Sequence, residues 1–384
     1  MKKNFLKGVM ATFVICGSLF SAMSCKENVD PNGYVDTLIN DVDILNDKEI
    51  NFYGRYTHKT INEKEYVYFG FTCTGFELYV DVKENTNNIK VDFYSEMFGH
   101  STQYIKVYVD DDNGRVIELV EGEQNVTLVE NLEVGEHVIK VLKMTEASVS
   151  KLGVRNLTSI GMDFYSRKYN TRRKKVEFYG DSLTCGYGNL GDPSSTTFYT
   201  NEEDGTLTYA YQAALEIGYD ASLIAWSGIA LSEKLAPYGA EMMSRYDTVE
   251  GELEYDMSKD QIDLVVFNLG SNDSAGYDNL SEEDRALGIE EFKQNYHTIF
   301  GRIKTTSPQA KIVSLYNMAN NIKTALVDAI KEVTKEFNEM YGENTAHYIK
   351  CIPNGSGSNG HPNLIGHETT KEKLVKYLED NNLI

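Results

Sequence analysis

From about residue 51 to residue 165, apolar and polar positions alternate with a period of two. Phe76, Leu78, Val80 and Val82 interleave with Glu77, Tyr79 and Asp81, and Ile105, Val107 and Val109 interleave with Tyr104, Lys106 and Tyr108. Successive side chains of a strand point to opposite faces, so each run predicts a strand with one face in a core. Further runs at residues 89–94, 116–120, 126–129 and 137–142 are separated by turn chemistry such as Asp110-Asp111-Asp112-Asn113-Gly114. Many short strands with no long helix predict a β-sandwich over residues 48–170.

After Arg172 the pattern changes. Short, continuously apolar runs at 176–179, 221–225, 264–269, 311–316 and 346–350 alternate with helical segments at 209–217, 282–305, 324–340 and 367–380. Continuously apolar strands alternating with helices predict a parallel sheet covered on both faces, here over residues 171–384. The boundary falls at Arg172-Arg173-Lys174-Lys175, which reads as a solvated linker.

Charge narrows the partners. The 384 residues carry a formal net charge of −21. Such a chain repels the phosphates of nucleic acid, so a neutral substrate such as a sugar polymer or small ester fits better. The N-terminus reads as an address. Lys2, Lys3 and Lys7 precede an apolar run over residues 8–20 and then small residues up to Cys25, the layout of a secretory signal peptide over residues 1–24. Ser21-Ala22-Met23-Ser24-Cys25 resembles a bacterial lipoprotein processing site, which would lipidate Cys25. Ala22 departs from the Leu usual there, and simple secretion with nearby cleavage is the alternative. Residues 25–47, acidic and Asn-rich, then read as a tether with a strand entering at its end. The expected location is extracytoplasmic, on the cell envelope, with membrane contact through the lipid anchor only. Cys73, Cys185 and Cys351 remain in the body, an odd number, and no cysteine or histidine spacing suggests a zinc site.

Ligands of an open parallel sheet sit beyond the carboxyl ends of its strands. There the chain reads Gly180-Asp181-Ser182-Leu183, Trp226-Ser227-Gly228 and Gly270-Ser271-Asn272-Asp273, with Ser358-Asn359-Gly360-His361-Pro362 before the last helix. Each alone is ordinary cap or turn material. Together they supply what acyl transfer needs: a hydroxyl nucleophile in Ser182, a base in His361, and oxyanion donors from the Ser182 and Gly228 N–H groups and the Asn272 amide. Asp181 and Asp273 read as loop-holding residues. Gly186-Tyr187-Gly188-Asn189-Leu190-Gly191 fits G-x-G-x-x-G, but Gly180-Asp181-Ser182-Leu183 intervenes between it and the strand, against a dinucleotide site. Trp226 reads as either a sugar platform or a strand-end packing residue.

The four blocks resemble the SGNH (GDSL) hydrolase superfamily over residues 175–384. The resemblance implies a flavodoxin-like three-layer α/β/α domain with a five-stranded parallel sheet, behind a jelly-roll-like sandwich. A sandwich ahead of such a domain is similar to carbohydrate esterase family two. So are Lys143-Met144-Thr145-Glu146, residues 176–188 and Gly360-His361-Pro362-Asn363. This resemblance implies a serine esterase that removes acetyl groups from xylan- or mannan-type carbohydrate and uses no metal or other cofactor. The alternatives are a lipid esterase or thioesterase on the same scaffold, or a carbohydrate-binding protein without turnover. These enzymes commonly carry an Asp two or three residues before the His. Here Asn359 and Ser358 stand instead, predicting a Ser182–His361 dyad whose imidazole is oriented by Asn359 or by a backbone carbonyl.

Overall fold

The computed structural model describes residues 28–29, 33–46 and 48–384. The signal peptide and Cys25 lie outside the described residues.

The alternating half folds as two antiparallel sheets packed face to face. The larger runs Asn28–Val29, Tyr34–Ile39, Met162–Tyr169, Gly75–Val82, Gly135–Lys143, Gln103–Val109 and Arg115–Leu119 from edge to edge, with Asn51–Tyr53 also paired to Gly75–Val82. The smaller runs Gly122–Glu130, Asn88–Met97, Ser150–Ile160, Lys64–Phe69 and Thr57–Ile61. The register places Phe76 opposite Val141 and Leu78 opposite Ile139, and these four side chains share one buried core with Ile89, Val91 and Phe93 of the other sheet. The period-two alternation thus becomes a core between two sheets, each fully buried aliphatic or aromatic side chain contributing about 1.5–3 kcal/mol of transfer free energy.

One boundary shifts. Tyr34–Ile39 pairs antiparallel with Met162–Tyr169, the Arg167 guanidinium grips the Asp36 carboxylate at 2.6 Å, and Ile44 is buried. Much of the expected tether is therefore built into the larger sheet, as Tyr34–Ile39 with the short edge strand Asn28–Val29 paired to it. Its acidic composition hid a six-residue strand whose one carboxylate is paired rather than solvated.

The second half is a five-stranded parallel sheet in the spatial order Asp220–Ala225, Lys175–Gly180, Leu264–Asn268, Lys311–Tyr316, Ala346–Lys350. Helices α1 (Ser182–Cys185), α2 (Tyr209–Ile217), α3 (Ser271–Tyr277), α4 (Glu282–Thr306), α5 (Thr324–Tyr341) and α6 (Leu364–Asp380) complete it. The chain goes outward from the first strand to the second and then crosses back to the third. That reversal opens a crevice at the carboxyl ends of the first and third strands, the place where such sheets bind ligands.

The two halves do not meet through a linker. Phe71 and Ala147 of the sandwich lie in the core that covers one face of the parallel sheet, and Tyr53, Cys73 and Leu142 lie in the core on the other face. The basic patch is ion-paired: Arg172 binds Asp263, Arg173 binds Asp220 and Lys175 binds Asp260, at the amino ends of the parallel strands. It is a set of braces under the sheet, not a free linker. Cys73, Cys185 and Cys351 are buried free thiols.

Candidate active site

The first strand of the parallel sheet ends at Gly180, where a Cβ would lie 2.0 Å from Thr184 Oγ1, so a larger residue would block the turn that follows. Asp181 caps α1, its Oδ1 accepting from the Leu183 N–H at 3.0 Å. Burial raises the Asp181 carboxyl to about 7, against the lowering effect of that hydrogen bond. Ser182 is the first residue of α1, where backbone N–H groups have no intrahelical acceptor. Its side chain reaches the surface only slightly, at 8% exposure.

His361 Nε2 lies 2.8 Å from Ser182 Oγ, and Nδ1 lies 3.2 Å from the backbone carbonyl oxygen of Asn359. A carbonyl can only accept, so Nδ1 carries the proton and Nε2 is free to accept from the serine hydroxyl. Asn359 adopts the left-handed conformation, φ 51° and ψ 35°, which turns its carbonyl back toward the ring two residues later. Of the two orienters expected, the backbone carbonyl is the one within hydrogen-bond distance, while the Asn359 side chain interacts with Tyr187. Among the described residues no carboxylate hydrogen-bonds to either ring nitrogen. Burial lowers the His361 pKa, with the Asn359 and Ser358 carbonyls acting in the opposite sense. One face of the ring packs on Tyr187 at 4.3 Å between centroids, and Tyr187 stacks on Phe198 at 4.1 Å.

The glycine-rich run has a role that its resemblance to a dinucleotide motif concealed. A Cβ on Gly188 would sit 2.3 Å from Ser358 Oγ, and one on Gly191 would sit 2.6 Å from Ser358 Cβ. The Gly188 carbonyl accepts from the Ser358 N–H at 3.0 Å. The glycines form the seat on which the histidine loop lies.

Gly228 and Asn272 follow the second and third strands of the sheet. Gly228 has φ +78°, a conformation that strains any residue with a Cβ. The Asn272 amide donates to the Ile229 carbonyl at 2.8 Å, which leaves its other N–H for the crevice. The loop carrying Gly228 is held at several points. Asp273 accepts from the N–H groups of Leu231 and Ser232, and Asn295 donates to the Leu231 carbonyl. Burial raises Asp273 to about 6, while the two backbone donors pull it down. Both aspartates read as loop-holding residues hold loops, and Asp273 holds the one that carries Gly228.

Sequence reasoning quoted Glu146 only as part of a resemblance and missed its place. It comes from the sandwich, is 1% exposed, and its Oε2 accepts from the Ser227 N–H at 2.6 Å. The Cys185 thiol donates to the same oxygen at 3.5 Å, and the Glu146 N–H donates to Glu203 Oε2 at 3.2 Å. Lys143 Nζ donates to the Thr145 and Glu146 carbonyls, and burial pulls this lysine down to about 7 although Glu203 and Glu146 raise it. Burial also lifts Glu203 well above the carboxylate range and the Cys185 thiol upward, with Glu146 adding to both. Ligand atoms of Glu146, Cys185 and Glu203 lie within 4.8 Å of one another, close enough for a metal ion. The same oxygens already take protein donors: Glu146 Oε2 accepts from the Ser227 N–H and Glu203 Oε2 from the Glu146 N–H. Trp226 is half-buried, with the Arg245 guanidinium 4.3 Å above its ring and Gly251 against its edge, so packing holds it.

Residues 178–368 match the GDSL-like lipase/acylhydrolase family and residues 52–159 match the carbohydrate esterase 2 N-terminal domain. A cellulase/esterase of Acetivibrio thermocellus is 29% identical over 273 residues, covering 66% of this chain. The match spans only 31% of that longer protein. An acetylxylan esterase/glucomannan deacetylase of Cellvibrio japonicus is 25% identical over 293 residues, covering 73% of this chain and 76% of that one. Among solved structures, a family two carbohydrate esterase from Clostridium thermocellum in complex with cellohexaose superposes with a TM-score of 0.73 at 23% identity, covering 87% of this chain and all of that one. The chain therefore joins a GDSL-like lipase/acylhydrolase domain to a carbohydrate esterase 2 N-terminal domain, and has the fold of the family two carbohydrate esterases.

Proposed function

We propose that the protein is a serine esterase that removes O-acetyl groups from carbohydrate. The observation that carries this reading is the 2.8 Å contact between His361 Nε2 and Ser182 Oγ, at the end of the parallel sheet where the loops after three neighbouring strands carry Ser182, Gly228 and Asn272. Ser182 Oγ attacks the acetyl carbonyl carbon as its proton passes to His361 Nε2. The carbonyl oxygen becomes an oxyanion facing the Ser182 and Gly228 N–H groups and the Asn272 amide. As the tetrahedral species collapses, the C–O bond to the sugar breaks and His361 returns the proton to the departing sugar oxygen. A water, deprotonated by the same imidazole, attacks the acetyl-enzyme and releases acetate with Ser182 restored.

The carbohydrate class rests on the acetylxylan esterase/glucomannan deacetylase relative and the cellulase/esterase relative. Tyr199 and Tyr238, exposed at 56% and 71%, suit a ring-stacking substrate. They stand on the loops that follow Phe198 and Gly228. The reading extends to the N-terminus: we propose secretion and lipid attachment at Cys25, on the lipoprotein-like layout of residues 1–25. Mass spectrometry of the membrane-bound form should find the acyl chains on Cys25, and Cys25→Ala should release the protein.

The test of substrate class is acetate release from acetylated xylan and glucomannan beside hydrolysis of medium-chain acyl esters, each with Ser182→Ala as control. Preferential, Ser182-dependent acetate release supports the reading. Faster turnover of the long-chain esters would assign the site to lipid or thioester substrates, and binding of glycan without acetate release would make it a binding site.

A further inference from the structure

We propose that Glu146, contributed by the sandwich, is a positioning residue for the oxyanion hole, so that the sandwich is part of the esterase site rather than an appended module. The inference rests on the reading of Gly228 as an oxyanion donor. A backbone N–H serves as such a donor only if its peptide plane is aimed at the developing charge before the reaction begins. The plane between Ser227 and Gly228 turns on Gly228 φ, and glycine offers little steric resistance to that rotation. The fold must therefore hold the loop from outside. Beyond Gly228 it does so from within the hydrolase domain, through Asn272 on the Ile229 carbonyl and Asp273 on Leu231 and Ser232. Before Gly228, the side-chain acceptor on the loop is Glu146, whose Oε2 takes the Ser227 N–H at 2.6 Å. The contact spans 81 residues of sequence and crosses from one domain to the other.

Glu146 is itself held in place. Its backbone N–H donates to Glu203 Oε2, its carbonyl accepts from Lys143 Nζ, and its carboxylate takes the Cys185 thiol of α1, three residues after Ser182. The Met144 carbonyl accepts from the Gly205 N–H of the hydrolase domain at 3.2 Å and from the Thr72 hydroxyl of the sandwich at 2.7 Å, so the 143–146 turn is fixed from both domains. One carboxylate thus touches both the loop that presents Gly228 and the turn that presents Ser182. A short, charge-assisted bond to a buried N–H is stronger and stiffer than a neutral one.

The experiment compares wild type, Glu146→Ala, Glu146→Gln and Ser182→Ala on an acetyl ester, with active-site titration of each by a serine-reactive phosphonate. Scaling to titrated sites removes any loss from misfolded protein. Glu146→Ala is expected to lower kcat per titrated site by about 10- to 100-fold, with KM within about threefold and the affinity of a boronate transition-state analogue falling in parallel. Glu146→Gln keeps an oxygen that can accept the Ser227 N–H and should recover most of the loss. A kcat per site within twofold of wild type in Glu146→Ala, or a loss confined to KM, would overturn the inference while leaving the esterase reading intact. Wild type without Ser182-dependent hydrolysis would overturn that reading, and the positioning role with it.

Discussion

Among the buried ionic clusters that tie the sandwich to the hydrolase domain, two differ in how completely they are paired. At one, every Arg55 nitrogen is used. Its guanidinium binds Glu177 Oε1, the carbonyls of Tyr246 and Thr248 and the Tyr179 hydroxyl, while Tyr179 donates to the remaining Glu177 oxygen. The guanidinium also lies 4.6 Å over the Tyr255 ring. At the other, Lys143, Glu146 and Glu203 leave polar atoms over. Glu203 Oε1 and the neighbouring Ser227 Oγ are buried with no partner among the described residues. The closed cluster lies in mid-strand, at Glu177, away from the crevice. The open one underlies Ser182 and the loop that carries Gly228. Full pairing suits a group whose work is cohesion. Orphaned polar atoms cost stability and concentrate where a site must present donors and hold protons.

The difference can be broken from either side. Ser182→Ala and His361→Ala should each abolish acetate release beyond detection while leaving the melting temperature close to wild type, because neither opens a large core cavity. Substantial turnover in the folded Ser182→Ala protein would exclude it as nucleophile. Arg55→Ala should act in the opposite way. It leaves the Glu177 carboxylate buried and unpaired, so denaturant unfolding should show about 3–5 kcal/mol of lost stability, with kcat per titrated site unchanged. If it lowered kcat per site without lowering stability, the division between the clusters would fail. Asn272→Ala should lower kcat by about 10²–10³ with little change in KM, since an oxyanion donor acts chiefly in the transition state. A change in KM alone would make it a substrate-binding residue.

Smaller effects test the neutral orienter. Asn359→Ala keeps the backbone carbonyl that orients His361 and adds only the cost of a left-handed alanine, roughly 1–2 kcal/mol. Its kcat should fall by less than about 100-fold, about 2.7 kcal/mol of barrier. Near-total loss would give the side chain a part in the chemistry. The pH profile is the mildest test. His361 must be neutral to accept a proton, and burial lowers its pKa. Activity should therefore be lost as pH falls, on a limb below the ordinary histidine value of about 6.5. A limb above that value would require a carboxylate at Nδ1.

Much of this was legible in the sequence, for identifiable reasons. Period-two alternation marked the sandwich because one face of each strand is dry, and continuously apolar runs marked the parallel strands because both faces are. The candidate set was legible because Ser182, Gly228 and Asn272 follow strands directly, where local order and topology coincide. What was hidden depends on contacts between distant segments. Glu146 lies 81 residues from Ser227, and nothing in the pattern around Lys143-Met144-Thr145-Glu146 shows that the turn reaches the other domain. The glycines at 188 and 191 looked like a phosphate loop because the residue they accommodate, Ser358, lies far along the chain. Residues 34–39 looked like tether because the stretch around them is acidic and their pairing partner, Met162–Tyr169, lies more than 120 residues further along the chain. The short helices α1 and α3 escaped because their first turns are made by the site residues themselves.

The central claim is that an acetyl group passes through Ser182. The most direct measurement is rapid acid quench of the enzyme during turnover of an acetylated xylo-oligosaccharide, followed by peptide mass spectrometry. The account predicts the mass of one acetyl group on the peptide containing Ser182, appearing before acetate reaches its steady rate and absent in Ser182→Ala. Acetate released with Ser182 never acetylated, or an acetyl group carried by another residue, would contradict it.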